Sequence, residues 1–171
     1  MNYEEALVAN AAERHTFDTG PKVPDQAKAA FVTCGQIGNV KKLREVYIPK
    51  ILSGELDVNC TEERGRTSFQ MAVWYGHVEF AKLLLEHGAK YDTWDTDLWS
   101  PLHYAAEWDK GETVELLLAL GDDMHKKDNN GVSPRMAADR MNAGKAREVF
   151  ESASTPSGMH EIKAKHNLKA R

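Results

Sequence analysis

Shifted by 33 residues, the chain falls onto itself twice without a gap, and this constrains its fold more than any other feature. Thr67, Ser100 and Ser133 align, as do Ser68, Pro101 and Pro134. Ala72, Ala105 and Ala138 coincide, then Leu83, Leu116 and Val149, then Leu84, Leu117 and Phe150. Gly88 falls on Gly121, and Glu62, Asp95 and Asp128 stand ahead of each unit. The acid and a glycine signal a turn. A hydroxyl followed by proline then opens a helix, as N-cap and first helical residue. Val78 to Leu85 carries apolar residues at helical spacing, and Gly88 sits where a helix end takes a left-handed residue. Neither helix of a unit can bury its apolar face alone, so the units must stack.

The run Ser100-Pro101-Leu102-His103-Tyr104-Ala105-Ala106 is similar to the ankyrin-repeat signature T-P-L-H-x-A-A. Tyr75-Gly76-His77-Val78-Glu79 and Leu83-Leu84-Leu85-Glu86-His87-Gly88-Ala89 resemble the second half of that repeat. The match is clear over 62–151. It extends backwards through Gly38-Asn39-Val40-Lys41-Lys42-Leu43 and Leu56-Asp57-Val58-Asn59, where about one extra helical turn containing Pro49 lengthens the second helix or loop. The resemblance implies an all-α solenoid of about four stacked helix pairs with short finger loops. Its repeats fall at about 25–61, 62–94, 95–128 and 129–151, the last being a polar cap. Residues 1–24 form an N-terminal arm with a possible capping helix, and 152–171 read as a flexible basic tail. Leu98 stands where Gly65 and Gly131 stand in the neighbouring units. If that turn needs positive φ, the leucine is strained by ~1 kcal/mol or more.

Composition excludes several functions. The 171 residues carry a formal net charge of −4, which disfavours nucleic-acid binding. Two cysteines, Cys34 and Cys60, form neither a disulfide framework nor a C-x-x-C zinc pair, and suggest a reducing compartment. No apolar run is long enough to span a membrane. The acidic start, Met1-Asn2-Tyr3-Glu4-Glu5, is unlike a signal peptide, so an intracellular location is expected, cytoplasmic or nuclear. No nucleophile elbow, phosphate loop or zinc-protease motif is present, and no cofactor, metal or small-molecule substrate is expected. His77 and His103 read as residues that hydrogen-bond locally between repeats.

The expected function is therefore protein–protein interaction, as a scaffold, adaptor or inhibitor. The alternatives are a structural subunit of a larger complex and, from a different class, an enzyme or metal-dependent protein. By the resemblance, Trp74, Tyr75, Glu107 and Trp108 lie at the ends of first helices on the concave side. Arg64, Arg66, Asp97 and Trp99 lie on the projecting turns, and Trp94 lies in the finger between repeats. Aromatic and arginine side chains on a polar face have the composition of an interface hot spot. Packing of these rings on the scaffold is the competing reading. Residues 95–128 hold nine acids against three bases, which favours a partner segment with basic and apolar residues. Asn59 reads as a turn-stabilising residue, with asparaginyl hydroxylation as a minor hypothesis.

Overall fold

The computed structural model describes residues 25–166. The first repeat opens with α1 (Asp25–Ile37) and continues through a helical run made of α2 (Val40–Lys42), a π-helical turn (Leu43–Tyr47) and α3 (Ile48–Leu52). The regular repeats follow as α4 (Ser68–Tyr75) with α5 (Val78–Glu86), α6 (Pro101–Glu107) with α7 (Gly111–Leu120), and α8 (Pro134–Arg140) with α9 (Gly144–Ala153). A last helix, α10, spans Pro156–His166. The first helices stack as a layer, α1 on α4 on α6 on α8. The second helices form the other layer, with α7 touching both α5 and α9.

Sequence sets each helix start. Thr67, Ser100 and Ser133 are extended N-caps whose hydroxyls accept from the N–H groups of Gln70, His103 and Met136. In the first two, Gln70 and His103 reach back to the cap N–H and complete a capping box. Ala72, Ala105 and Ala138 are fully buried, so their small side chains let successive first helices approach closely. Phe31, Leu43, Phe69, Phe80, Leu84, Leu102, Leu116, Leu117 and Phe150 fill one continuous core through all four repeats.

Three features refine the sequence reading. The extra turn of the first repeat is a π-helical segment, closed by Ile48 N–H on Leu43 C=O just before Pro49. Proline has no N–H to give an α-helical bond, so the irregular turn sits where the ladder must open. Leu98 does adopt positive φ, 57° against 74° at both Gly65 and Gly131. At the joint between paired helices, Gly76, Asp109 and Asn142 share a left-handed position, with φ of 84°, 54° and 52°. Asp and Asn tolerate that region better than other non-glycine residues.

The flexible-tail reading of 152–171 is corrected for its described part. Thr155 Oγ1 accepts from Gly158 N–H, and Pro156 follows as the first helical residue of α10. Gly158, Ile162 and His166 recur every four residues and are buried where α10 packs on α7 and α9. Gly158 is needed for the contact, because a Cβ there would lie 2.2 Å from the Ser152 carbonyl oxygen. Lys165 pairs with Glu115 of α7, so this basic residue is engaged rather than merely solvated. The packed helices thus extend beyond 151. The readings of 1–24 as an arm and of Lys169 and Arg171 as a basic end fall outside the described residues.

Candidate protein-interaction face

The finger turns are built around one acid each. Glu62 accepts from the N–H groups of Arg64 and Arg66. Asp95 does the same for Asp97 and Trp99, and Asp128 for Asn130 and Val132. The second oxygen of each aspartate carries the network outward. Asp95 Oδ2 accepts from the Tyr104 hydroxyl, and Asp128 Oδ2 accepts from Trp99 Nε1 at 3.0 Å. Burial, with Asp95 beside it, drives the Tyr104 phenol far above its ordinary pKa, so it stays a donor. The Thr96 N–H reaches the Arg64 carbonyl at 3.4 Å, joining adjacent fingers.

From this network an aromatic ladder descends along the first helices. Trp99 lies 5.1 Å from Tyr104, Tyr104 stacks on Trp74 at 4.5 Å, and Trp74 meets Trp108 at 6.1 Å and Tyr75 at 5.7 Å, centroid to centroid. Arg66, paired with Glu62 at 2.8 Å, places its guanidinium 5.7 Å from the Trp74 ring. Tyr75 accepts through its hydroxyl from Gln36 Nε2 at 3.0 Å. The ladder joins Arg66, Trp74, Tyr75, Trp99 and Trp108 of the expected residues. Trp94 joins it only through His103, which lies 6.1 Å from both Trp94 and Trp99, and it sits under Lys126 Nζ at 4.0 Å. Arg64 and Asp97 are exposed on the turns. Glu107 is half-buried at the end of α6, and burial raises its pKa although Arg140 opposes the shift.

Sequence reasoning missed Tyr104, the centre of the ladder. It occupies the variable place in the signature-like run and reads there as another apolar helix residue. Its hydroxyl partner, nine residues earlier, was the available signal. The expected acidic field around the tryptophans does not assemble. Asp95, Asp97 and Glu107 share their side of the molecule, but Arg66 and Arg140 stand there too. Glu112 and Glu115 lie on α7, in the second layer, and Glu115 is taken up by Lys165 with His166 3.4 Å away. Asp109 accepts from Ala146 N–H at 2.9 Å.

Asn59 uses both ends of its amide on the following repeat, not on its own turn. Nδ2 donates to Gly88 C=O at 3.2 Å, and Oδ1 accepts from Lys90 N–H at 2.8 Å. His77 and His103 bridge repeats through Nε2, to Gln36 C=O and Val132 C=O, each at 3.0 Å. Among the described residues, no group of three His, Cys, Asp or Glu is placed to hold a metal ion. None of the described helices is long and apolar enough to cross a membrane.

A family model described as ankyrin repeats, in three copies, matches residues 34–138. The chain belongs to the ankyrin-repeat family. Ankyrin repeats generally mediate protein–protein interaction, and such domains are typically not catalytic. The chain is 30% identical over 133 residues to the E3 ubiquitin-protein ligase Ufd4 of Drosophila melanogaster, covering 77% of this chain and 5% of that protein. It is 33% identical over 73 residues to human ankyrin repeat domain-containing protein 13B, covering 43% and 12%. It is 39% identical over 54 residues to mouse protein phosphatase 1 regulatory subunit 12A, covering 32% and 5%. The chain therefore matches only a small part of each relative's length.

Proposed function

We propose that this ankyrin-repeat chain is a binding module, acting as a scaffold, adaptor or inhibitor, that holds a partner protein on the first-helix side and the finger loops. One observation supports this most. Trp108 is about half exposed, yet its ring is braced by Trp74, which is itself stacked on Tyr104. A large aromatic held in one place beside solvent offers contact area with little further loss of side-chain freedom. The exposed Arg64 and Asp97 on the fingers would supply the polar rim. Trp99, Trp74 and Tyr104 serve the scaffold as well, so their removal confounds binding with folding.

The test is affinity capture from native lysate with the wild type and with Trp108→Ala, after circular dichroism confirms equal helicity. Loss of specific partners by the variant supports the reading. If both proteins capture the same partners with equal yield, this face is not the contact.

A further inference from the structure

Four of the large apolar side chains left exposed among the described residues share one place in the repeat. Ile37, Tyr75, Trp108 and Met141 are 65%, 41%, 55% and 58% exposed. Each directly precedes the left-handed residue that closes a first helix: Gly38, Gly76, Asp109 and Asn142. Identical register in stacked units sets them in a row, one per repeat, running along the solenoid and across its helices. A shallow depression of about 230 Å³ lies beside Ile37, lined by Ala30, Thr33, Cys34, Asn39 and Lys42.

Resting on the reading above, we propose that this row docks a single amphipathic α-helix of the partner, lying along the solenoid with one apolar anchor per repeat. The spacing selects a helix. Packed helices are ~8–10 Å apart, so successive anchors of the row recur at about that interval. A helix rises about 10.5 Å in seven residues and returns a side chain to nearly the same face. An extended segment covers the same distance in about three residues, an odd number, so its successive side chains point to opposite faces. Three intervals ask for a helix of roughly 20 residues. Charge sets its polarity along the row. Glu107 directly precedes the third repeat's anchor and Arg140 the fourth's, so the fitting helix is basic opposite Trp108 and acidic opposite Met141.

Two display libraries test this on the whole chain. One presents helices of about three heptads with varied apolar residues at every seventh position and its helical neighbours. The other presents the same compositions interrupted by proline. The expected result is enrichment from the helical library alone. Met141→Asp and Ile37→Asp should each weaken the selected helices by about tenfold or more. Leu52→Asp, an exposed apolar site off the row, should leave them unchanged. Equal enrichment from the proline library overturns the proposal, and so does helix binding that ignores the row substitutions. Failure of both libraries overturns it as well. If lysate partners are nonetheless lost on Trp108→Ala, the face stands and only its helical occupant falls. If neither readout responds, both readings fall.

Discussion

Gly35→Ala sets two opposing effects against each other at the junction of the first and second repeats. Gly35 is buried inside α1, where alanine would raise helix propensity by ~1 kcal/mol. An added Cβ would lie 2.2 Å from the Ser68 carbonyl oxygen and 2.7 Å from its Oγ. The carbonyl is backbone and cannot rotate away, so α1 and α4 must separate. Overpacking of this kind costs ~1–3 kcal/mol. Separation also weakens the buried bond from Ser68 Oγ to Phe31 C=O, now 3.0 Å, worth ~1 kcal/mol. The steric terms win, and the junction loses ~1–3 kcal/mol net. In a stacked array that loss falls on the first repeat, which among the described residues is held chiefly through α4. The assay is urea unfolding followed by two probes. Far-ultraviolet circular dichroism reports every helix. Fluorescence reports Trp74, Trp94, Trp99 and Trp108, none of which lies in the first repeat. The variant should lose helicity at lower urea than the wild type, ahead of its fluorescence change. An unchanged or raised dichroism midpoint would refute the close approach of α1 and α4. Equal displacement of both probes would refute the separable first repeat.

Other substitutions probe the fingers, the cap and the acid response. Tyr104→Phe removes a donor to a buried carboxylate and should cost ~1.5–3 kcal/mol by calorimetry, a bond to a charged group being the stronger kind. A loss under ~0.5 kcal/mol would show that the Asp95 contact contributes little. Gly158→Ala should detach α10 from α9, seen as faster amide exchange across 156–166; unchanged protection would contradict the packing. His103 is buried and its pKa is lowered, chiefly by that burial. Its neutral form therefore contributes stability that is complete above the ordinary value of ~6.5 and is lost as pH falls toward the lower folded value. His103→Gln, copying the Gln70 box, should flatten the loss of stability below pH ~6.5, and an equally steep acid limb in the variant would exclude this histidine as its source.

The repeat register, the N-caps and the buried alanine column were legible because each is a local rule repeated at fixed spacing. The signals of α10 were local too. Thr155-Pro156 repeats the start seen at Ser100-Pro101 and Ser133-Pro134, but the Ser, Thr and Gly around it read as a linker. What decides the matter is Gly158 against Ser152 and Ile162 against the second layer, contacts that exist only once the chain has turned back. The charge reading failed for a related reason. Residues 95–128 pass through both layers of the solenoid, so a sum along the sequence mixed acids from opposite sides. The bond that fixes Trp99 was hidden as well, since its indole N–H answers to Asp128, 29 residues further on.

These long-range bonds divide the aromatic residues by what each is free to do. Trp99 has its polar atom committed to Asp128, and Tyr104 has its hydroxyl committed to Asp95. Their rings are spent on each other, that of Tyr104 also on Trp74 and that of Trp99 also on His103. A partner could gain little from them without first breaking buried hydrogen bonds. Trp108 differs, since it takes its orientation from Trp74 and offers its remaining surface to solvent. Rigidity thus passes from the finger acids through Tyr104 and Trp74 to the one tryptophan that stands more than half exposed. An anchor ordered in this way before binding loses little entropy when a partner arrives. It follows that Tyr104→Phe should weaken partner binding without touching the partner, by loosening Trp108, whereas Trp94, seated under Lys126 at the end of the aromatic array beyond His103 and Trp99, should be replaceable at far smaller effect on binding.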